Sequence, residues 1–203
     1  MENVLGLSSG SPGGSATVNR CALPEETSVT QEESEREVLS SLHQRHKAPD
    51  LLERPRELVV VCGPMRSNVN LSRIVRACGC CGILKIFCVG TGRVIEKIAR
   101  DGIDRVEVSL HRSLTPLLNK LGKEEYRLVA LEQATTSQSL YAYDFHRKTA
   151  LIVGNERLGL PEAVLTRVDD VVEIPVYGLP FSHNAATATA IAIYEYCRQF
   201  PRG

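Results

Sequence analysis

ELVVVCGPMRSNVNLSRIVRACGCCGILKIFCV, residues 57–89, sets an apolar run, a polar loop, a helical pattern and a second apolar run in series. Neither run, 57–62 nor 83–89, alternates apolar with polar positions as a half-solvated strand does, so each reads as a strand buried on both faces. Between them a helix is expected to start near Asn68 or Asn70, since either can cap it. At 100° per residue from Asn70, the side chains of Leu71, Ile74, Val75, Cys78 and Cys81 share an arc of about 120°, and Arg73 and Arg76 fall opposite. The unit is strand–helix–strand, with one apolar helix face and two arginines leaving the core together.

Downstream the same alternation continues. RVEV (105–108), YRLVAL (126–131), TALIV (149–153) and VVEI (171–174) read as strands, with helical patterns between most of them. Such a series argues for an α/β fold, a mostly parallel sheet covered by helices on both faces, over residues 57–203. Upstream the composition changes. Residues 1–30 are dense in Gly, Ser, Pro and Thr and are expected to form a disordered tail. Residues 31–46 can form one short helix, and Pro49 and Pro55 punctuate a linker reaching to residue 56.

Of the 203 residues, 43% are hydrophobic and 24% charged, the proportions of a globular chain. The 24 Lys and Arg balance the 24 Asp and Glu overall, but residues 1–56 hold six against nine and the remainder 18 against 15. The α/β part is therefore mildly basic, enough for modest attraction to phosphate. No stretch reaches the eighteen or so apolar residues of a membrane span, so no membrane partner is expected. Seven cysteines and no basic-then-apolar leader point to a reducing compartment, the cytoplasm first, with nucleus or mitochondrion as alternatives.

In open α/β sheets chemistry gathers beyond the carboxyl ends of the strands. Three loops there, with the helix starts that follow them, are unusual: GPMRSNVNLSRIVRACGCCG (63–82), GNERLGLP (154–161) and PVYGLPFSHNAATATA (175–190). The second has Gly154 and Gly159 for close backbone approach, Glu156 as a carboxylate at the mouth of the sheet, and Pro161 suited to the first turn of a helix. It matches neither G-x-G-x-x-G nor the phosphate-cradling G-x-x-x-x-G-K-[ST]. The third is stiffened by two prolines and a glycine, and either Ser182 or Asn184 caps a helix running to about Phe200. Ser182 and His183 do not make a hydrolase: neighbouring residues point apart, and there is no G-x-S-x-G. Cys78, Cys80 and Cys81 include one C-x-x-C spacing, but zinc needs a closed set of four ligands, so buried apolar thiols are expected and no metal.

Taken in order, the three loops resemble the SpoU family of RNA ribose methyltransferases, of the knotted SPOUT class. Asn70, Arg76 and Gly82 fit its first motif, Gly154, Glu156 and Gly159 its second, and Ile174, Pro175, Ser182 and Asn184 its third. The segment VALEQATTSQSL (129–140) also resembles the family's stretch before the second motif. The resemblance implies a carboxyl-terminal trefoil knot, S-adenosyl-L-methionine as cofactor, RNA (tRNA slightly before rRNA) as partner, and a homodimer. It implies Gly154, Asn155, Ile174, Pro175, Gly178, His183 and Asn184 at the cofactor in an uncharged crevice, and Arg76, Asn70, Glu156, Ser182 and Asn184 in catalysis. One position departs: the family has Leu where this chain has His183. That departure supports a competing reading, a noncatalytic RNA-binding scaffold that has lost the cofactor.

Overall fold

A computed structural model describes residues 47–203. The expected tail over 1–30 and helix over 31–46 lie outside the described residues.

Among the described residues seven strands are formed: β1 (Leu58–Cys62), β2 (Lys85–Val89), β3 (Glu107–His111), β4 (Arg127–Leu131), β5 (Gln138–Ser139), β6 (Thr149–Val153) and β7 (Asp170–Glu173). They make one sheet in the order β3-β2-β1-β6-β4-β7-β5, and every pairing in it is parallel. Among the described residues the α-helices are α1 (Asn68–Cys80), α2 (Glu96–Ala99), α3 (Leu114–Lys123), α4 (Glu162–Leu165) and α5 (Ala185–Gln199). All six expected strands are present. The third lies at 107–111 rather than 105–108, because it pairs with β2 along its whole length, from Lys85 opposite Glu107 to Val89 opposite His111. The two-residue β5 is too short to leave a period in the sequence.

Burial on both faces explains the unbroken apolar runs. Leu58, Val60 and Cys62 pack with Leu71, Ile74, Val75 and Cys78 of α1 and with Ala192, Ile193 and Tyr196 of α5. Val59 and Val61 point the other way, onto Leu117, Leu118 and Leu121 of α3 and Val164 of α4. Each such leucine or isoleucine contributes about 1.5–3 kcal/mol on leaving water. Arg73 and Arg76 are exposed on the far side of α1.

Residues Asp50–Gly203 form one compact unit. Arg56 donates to the carbonyl oxygens of Cys81 and Phe200, and Arg202 pairs with Glu53 at 2.9 Å. Residues 50–56, read as linker, thus fasten the end of α1 to the end of α5.

Two details of capping differ from expectation. Ser67, not Asn68 or Asn70, caps α1, its Oγ accepting from the Asn70 N–H at 3.2 Å. Both asparagine side chains are engaged elsewhere, Asn68 accepting from the Arg93 N–H and Asn70 bonded at the carboxyl edge of the sheet. Pro161 sits at the cap of α4 rather than in its first turn. The six cysteines among the described residues are free, and Cys62, Cys78, Cys81 and Cys88 are buried, but Cys80 is exposed. As the last residue of α1 it lies 200° around the helix from Cys78, on the solvent side.

Candidate functional site

Register brings the decisive loops together. Cys62, Val153 and Leu131 stand level across β1, β6 and β4, and Leu131 is level with Val172 of β7. The chain therefore leaves the sheet at Gly63, Gly154, Glu132 and Ile174 along a single stretch of its carboxyl edge.

Glu156 is the hub there. Its Oε2 accepts from the Arg66 N–H at 2.9 Å, and its Oε1 accepts from the Ser67 N–H at 3.0 Å and from Asn70 Nδ2 at 3.1 Å. Asn70 Oδ1 in turn accepts from Asn184 Nδ2 at 3.1 Å, while Asn184 Oδ1 caps α5 by accepting from the Ala186 and Thr187 N–H groups. One chain of hydrogen bonds thus runs through residues 156, 70 and 184, joining all three loops. Of the two residues expected to cap α5, Asn184 does so. Partial burial raises the Glu156 pKa, but the N–H groups of Arg66, Glu156 itself and Ser67, with the Asn70 amide, outweigh burial and hold it below the ordinary value.

The second loop closes on itself. Asn155 and Gly159 exchange two backbone hydrogen bonds, 3.1 and 2.9 Å, and Gly159 takes φ 63°, which favours glycine. The Asn155 amide reaches back to the Pro64 carbonyl at 2.6 Å and accepts from the Arg157 and Leu158 N–H groups. Gly154 is buried against Gly159 and Leu160 so closely that a Cβ would stand 2.7 Å from the Leu160 nitrogen.

Between these loops lies a cavity of about 340 Å³, the size of a small-ligand site. Gly154, Asn155, Glu156, Ile174, Ser182 and His183 line it. Asn70 is one hydrogen bond away, through Glu156, and Asn184 one further, through Asn70. Pro175, half-buried, and Gly178, exposed, are outside the lining. Arg76 is outside it too: six positions beyond Asn70, it is displaced about 9 Å along α1 and turned about 120° from it, onto the exposed side of the helix.

The crevice is not uncharged, as the third loop alone had suggested. Glu132, Glu173 and Arg157 share its wall with Leu131, Gln133 and Leu158. Glu132 accepts from the Leu160 N–H at 2.8 Å, Glu173 accepts from the Ser137 hydroxyl at 2.7 Å, and Gln133 donates to the Phe181 carbonyl. Residues 132 and 133 lie in the stretch 129–140 singled out above, but their side of the cavity depends on β4 neighbouring β6, which is a long-range fact.

An all-parallel sheet with a cavity at its carboxyl edge, knit by Glu156, Asn70 and Asn184, defines an α/β protein with a candidate small-molecule site beside a strand switch. The chain belongs to the SpoU rRNA Methylase family, which residues 57–194 match. It is 31% identical over 149 residues to the tRNA (guanosine(18)-2'-O)-methyltransferase TARBP1 of Mus musculus, covering 70% of this chain and 9% of the mouse protein. It is 27% identical over 153 residues to the tRNA (guanosine(18)-2'-O)-methyltransferase of Aquifex aeolicus, covering 73% of this chain and 72% of that one. The crystal structure of the A. aeolicus TrmH/SpoU tRNA modifying enzyme superposes with a TM-score of 0.69 at 26% identity, over 74% of this chain and 78% of that chain.

Proposed function

We propose that the protein is an S-adenosylmethionine-dependent RNA methyltransferase acting on a ribose 2′-hydroxyl. The observation that carries this reading is the bonded series Glu156–Asn70–Asn184 at the rim of the cavity, which unites the three family motifs. The cavity fits the cofactor. Leu131, Val153, Ile174, Ala185 and Ala188 offer apolar surface for an adenosine, Gly154 and Gly159 offer approachable backbone, and the carboxylates of Glu132, Glu156 and Glu173 suit a ligand with positive charge. The cofactor supplies a methyl group already activated on a sulfonium.

What remains for the protein is alignment and removal of a proton. Gly154, Asn155, Ile174 and His183 hold the donor, and Ser182 orients a neighbouring group. Glu156 fixes the loop 66–70 and, through Asn70, the start of α5. Arg76 orients an RNA phosphate and stabilises the forming alkoxide; guanidinium does not deprotonate in proteins, so a phosphate oxygen or water takes the proton.

Because Arg76 is turned away from the cavity of its own chain, the reading includes a homodimer in which it reaches the site of the second copy. The exposed apolar side chains Leu158 (81%), Leu179 (78%) and Phe181 (79%) around the cavity support a covered surface. The reading also includes a trefoil knot of the carboxyl-terminal segment. Its support is that residues 181–184 are gripped on one side by Gln133 and on the other by Asn70. Transfer RNA is the favoured substrate, in keeping with the names of both relatives above, and the cytoplasm the favoured compartment.

The test is transfer of tritiated methyl from S-adenosylmethionine to total tRNA and rRNA, followed by nucleoside analysis. A 2′-O-methylated nucleoside is expected; a base-methylated product, or no transfer to either RNA, overturns the assignment.

A further inference from the structure

The carboxyl edge of the sheet is electrically divided. On its β6-β4-β7 part the carboxylates of Glu132, Glu156 and Glu173 surround the cavity, each already engaged by hydrogen bonds. On its β3-β2-β1-β6 part, each of four adjacent loops presents one exposed arginine: Arg112 after β3, Arg93 after β2, Arg66 after β1 and Arg157 after β6. Parallel pairing puts all four strand ends on the same edge. With strands about 4.8 Å apart, the row spans about 15 Å and ends at Arg157, on the cavity wall. Among the described residues, none of the four side chains forms an ion pair.

The backbone beneath this row is fixed. The Arg66 N–H is held by Glu156, the Arg93 N–H by Asn68 at 3.0 Å, and the Arg157 N–H by Asn155 at 2.9 Å. Asn155 also ties the Arg157 loop to the Arg66 loop, and the Gly90 N–H ties the start of the Arg93 loop to the His111 carbonyl, next to Arg112. Free guanidinium heads on a preorganised base, in a line, match a polyanion and not a single small ligand.

We propose that Arg112, Arg93, Arg66 and Arg157 form a track that binds the sugar–phosphate backbone of the RNA flanking the target nucleotide and leads it to the cavity from the β3 side. This rests on the reading of the protein as an RNA methyltransferase. The row localises charge that the whole domain, at 18 basic against 15 acidic residues, hardly displays. It predicts an approach direction: RNA crosses the β3-β2-β1 half of the edge, and the β4-β7 half faces the cofactor.

The test uses the full chain and fluorophore-labelled bulk tRNA, with affinity followed against salt. The double variant Arg93→Gln/Arg112→Gln removes the two arginines farthest from the cavity. Its log–log salt slope should be shallower than wild type by about 1.4–1.8, at 0.7–0.9 per lost phosphate contact, with weaker binding at every salt concentration. A charge-matched double, Arg105→Gln/Lys123→Gln, changes exposed cations outside the row and should leave the slope unaltered. Calorimetry with S-adenosylmethionine should give the same affinity for all three proteins. Equal slopes for wild type and Arg93→Gln/Arg112→Gln, or an equal fall in both doubles, overturns the track while leaving the enzyme reading intact. A wild-type protein that binds neither tRNA nor S-adenosylmethionine overturns the enzyme reading itself.

Discussion

Glu156 accepts three hydrogen bonds from two neighbouring segments, and its three donors leave no tolerance for an amide. Two face Oε1 and one faces Oε2, so Glu156→Gln must turn its NH₂ toward at least one N–H in either orientation. The expected cost is about 1–3 kcal/mol, read as a lower urea midpoint, together with loss of methyl transfer. The sign of the pH dependence follows from the lowered carboxyl pKa. Stabilisation by Glu156 is present above the unfolded value near 4.5 and is lost as pH falls through the lower folded value, so the variant should lack this part of the acid limb seen in wild-type melts. His183 makes a contrasting case. It is an exposed residue on the cavity wall, standing where the resemblance leads one to expect leucine, and His183→Leu should bind S-adenosylmethionine as well as wild type or better. Calorimetry showing abolished binding in that variant would count against this cavity as the donor site.

At the scale of elements, the second loop works because its two ends touch. An alanine at 154 would put a methyl group against the Gly159 carbonyl carbon and the Leu160 nitrogen, backbone atoms that cannot swing aside. Gly154→Ala should cost about 1–3 kcal/mol and abolish donor binding, whereas Gly178→Ala, with open space and no positive φ, should stay within about 0.5 kcal/mol. Thermal melts with and without S-adenosylmethionine measure both. What could be read in advance follows the same physics. Strands buried on both faces must be apolar throughout, and the Leu71–Cys78 face of α1 must repeat with the helix period, so both were visible in the residues themselves. In SNVN (67–70), by contrast, three of four side chains can cap a helix; the choice of Ser67 is made by Glu156 and Arg93, distant in sequence, which engage Asn70 and Asn68. Glu132 and Glu173 carry no signal in the sequence for a like reason: a carboxylate at the end of a strand is ordinary until the strand order puts it beside another loop. Cys80 is exposed although Cys78 and Cys81 beside it are both buried, because the helix turns it to the solvent side.

At the scale of the whole molecule, the open question is how Arg76 meets a cavity from which its own helix turns it away. Six residues of rigid helix separate it from Asn70, and Asn70 is locked to Glu156 and Asn184, so bending α1 to bring Arg76 inward would break the bonded series that unites the site. The proposed homodimer removes the conflict by letting one copy's α1 serve the other's cavity. This arrangement makes a quantitative forecast. Arg76→Ala and Glu156→Ala should each be inactive alone. If the two are mixed after reversible dissociation, mixed dimers hold one cavity with an intact Glu156 facing an intact Arg76, and one cavity lacking both. With random pairing about a quarter of all sites regain both groups, so methyl transfer should recover to about a quarter of the wild-type rate. If Arg76 acts within its own chain, no mixed dimer contains a complete site and recovery is absent. Tagging the two variants differently and isolating the mixed dimer removes the dependence on exchange, and a pure mixed dimer that stays inactive while binding S-adenosylmethionine in its unaltered cavity would refute the shared site.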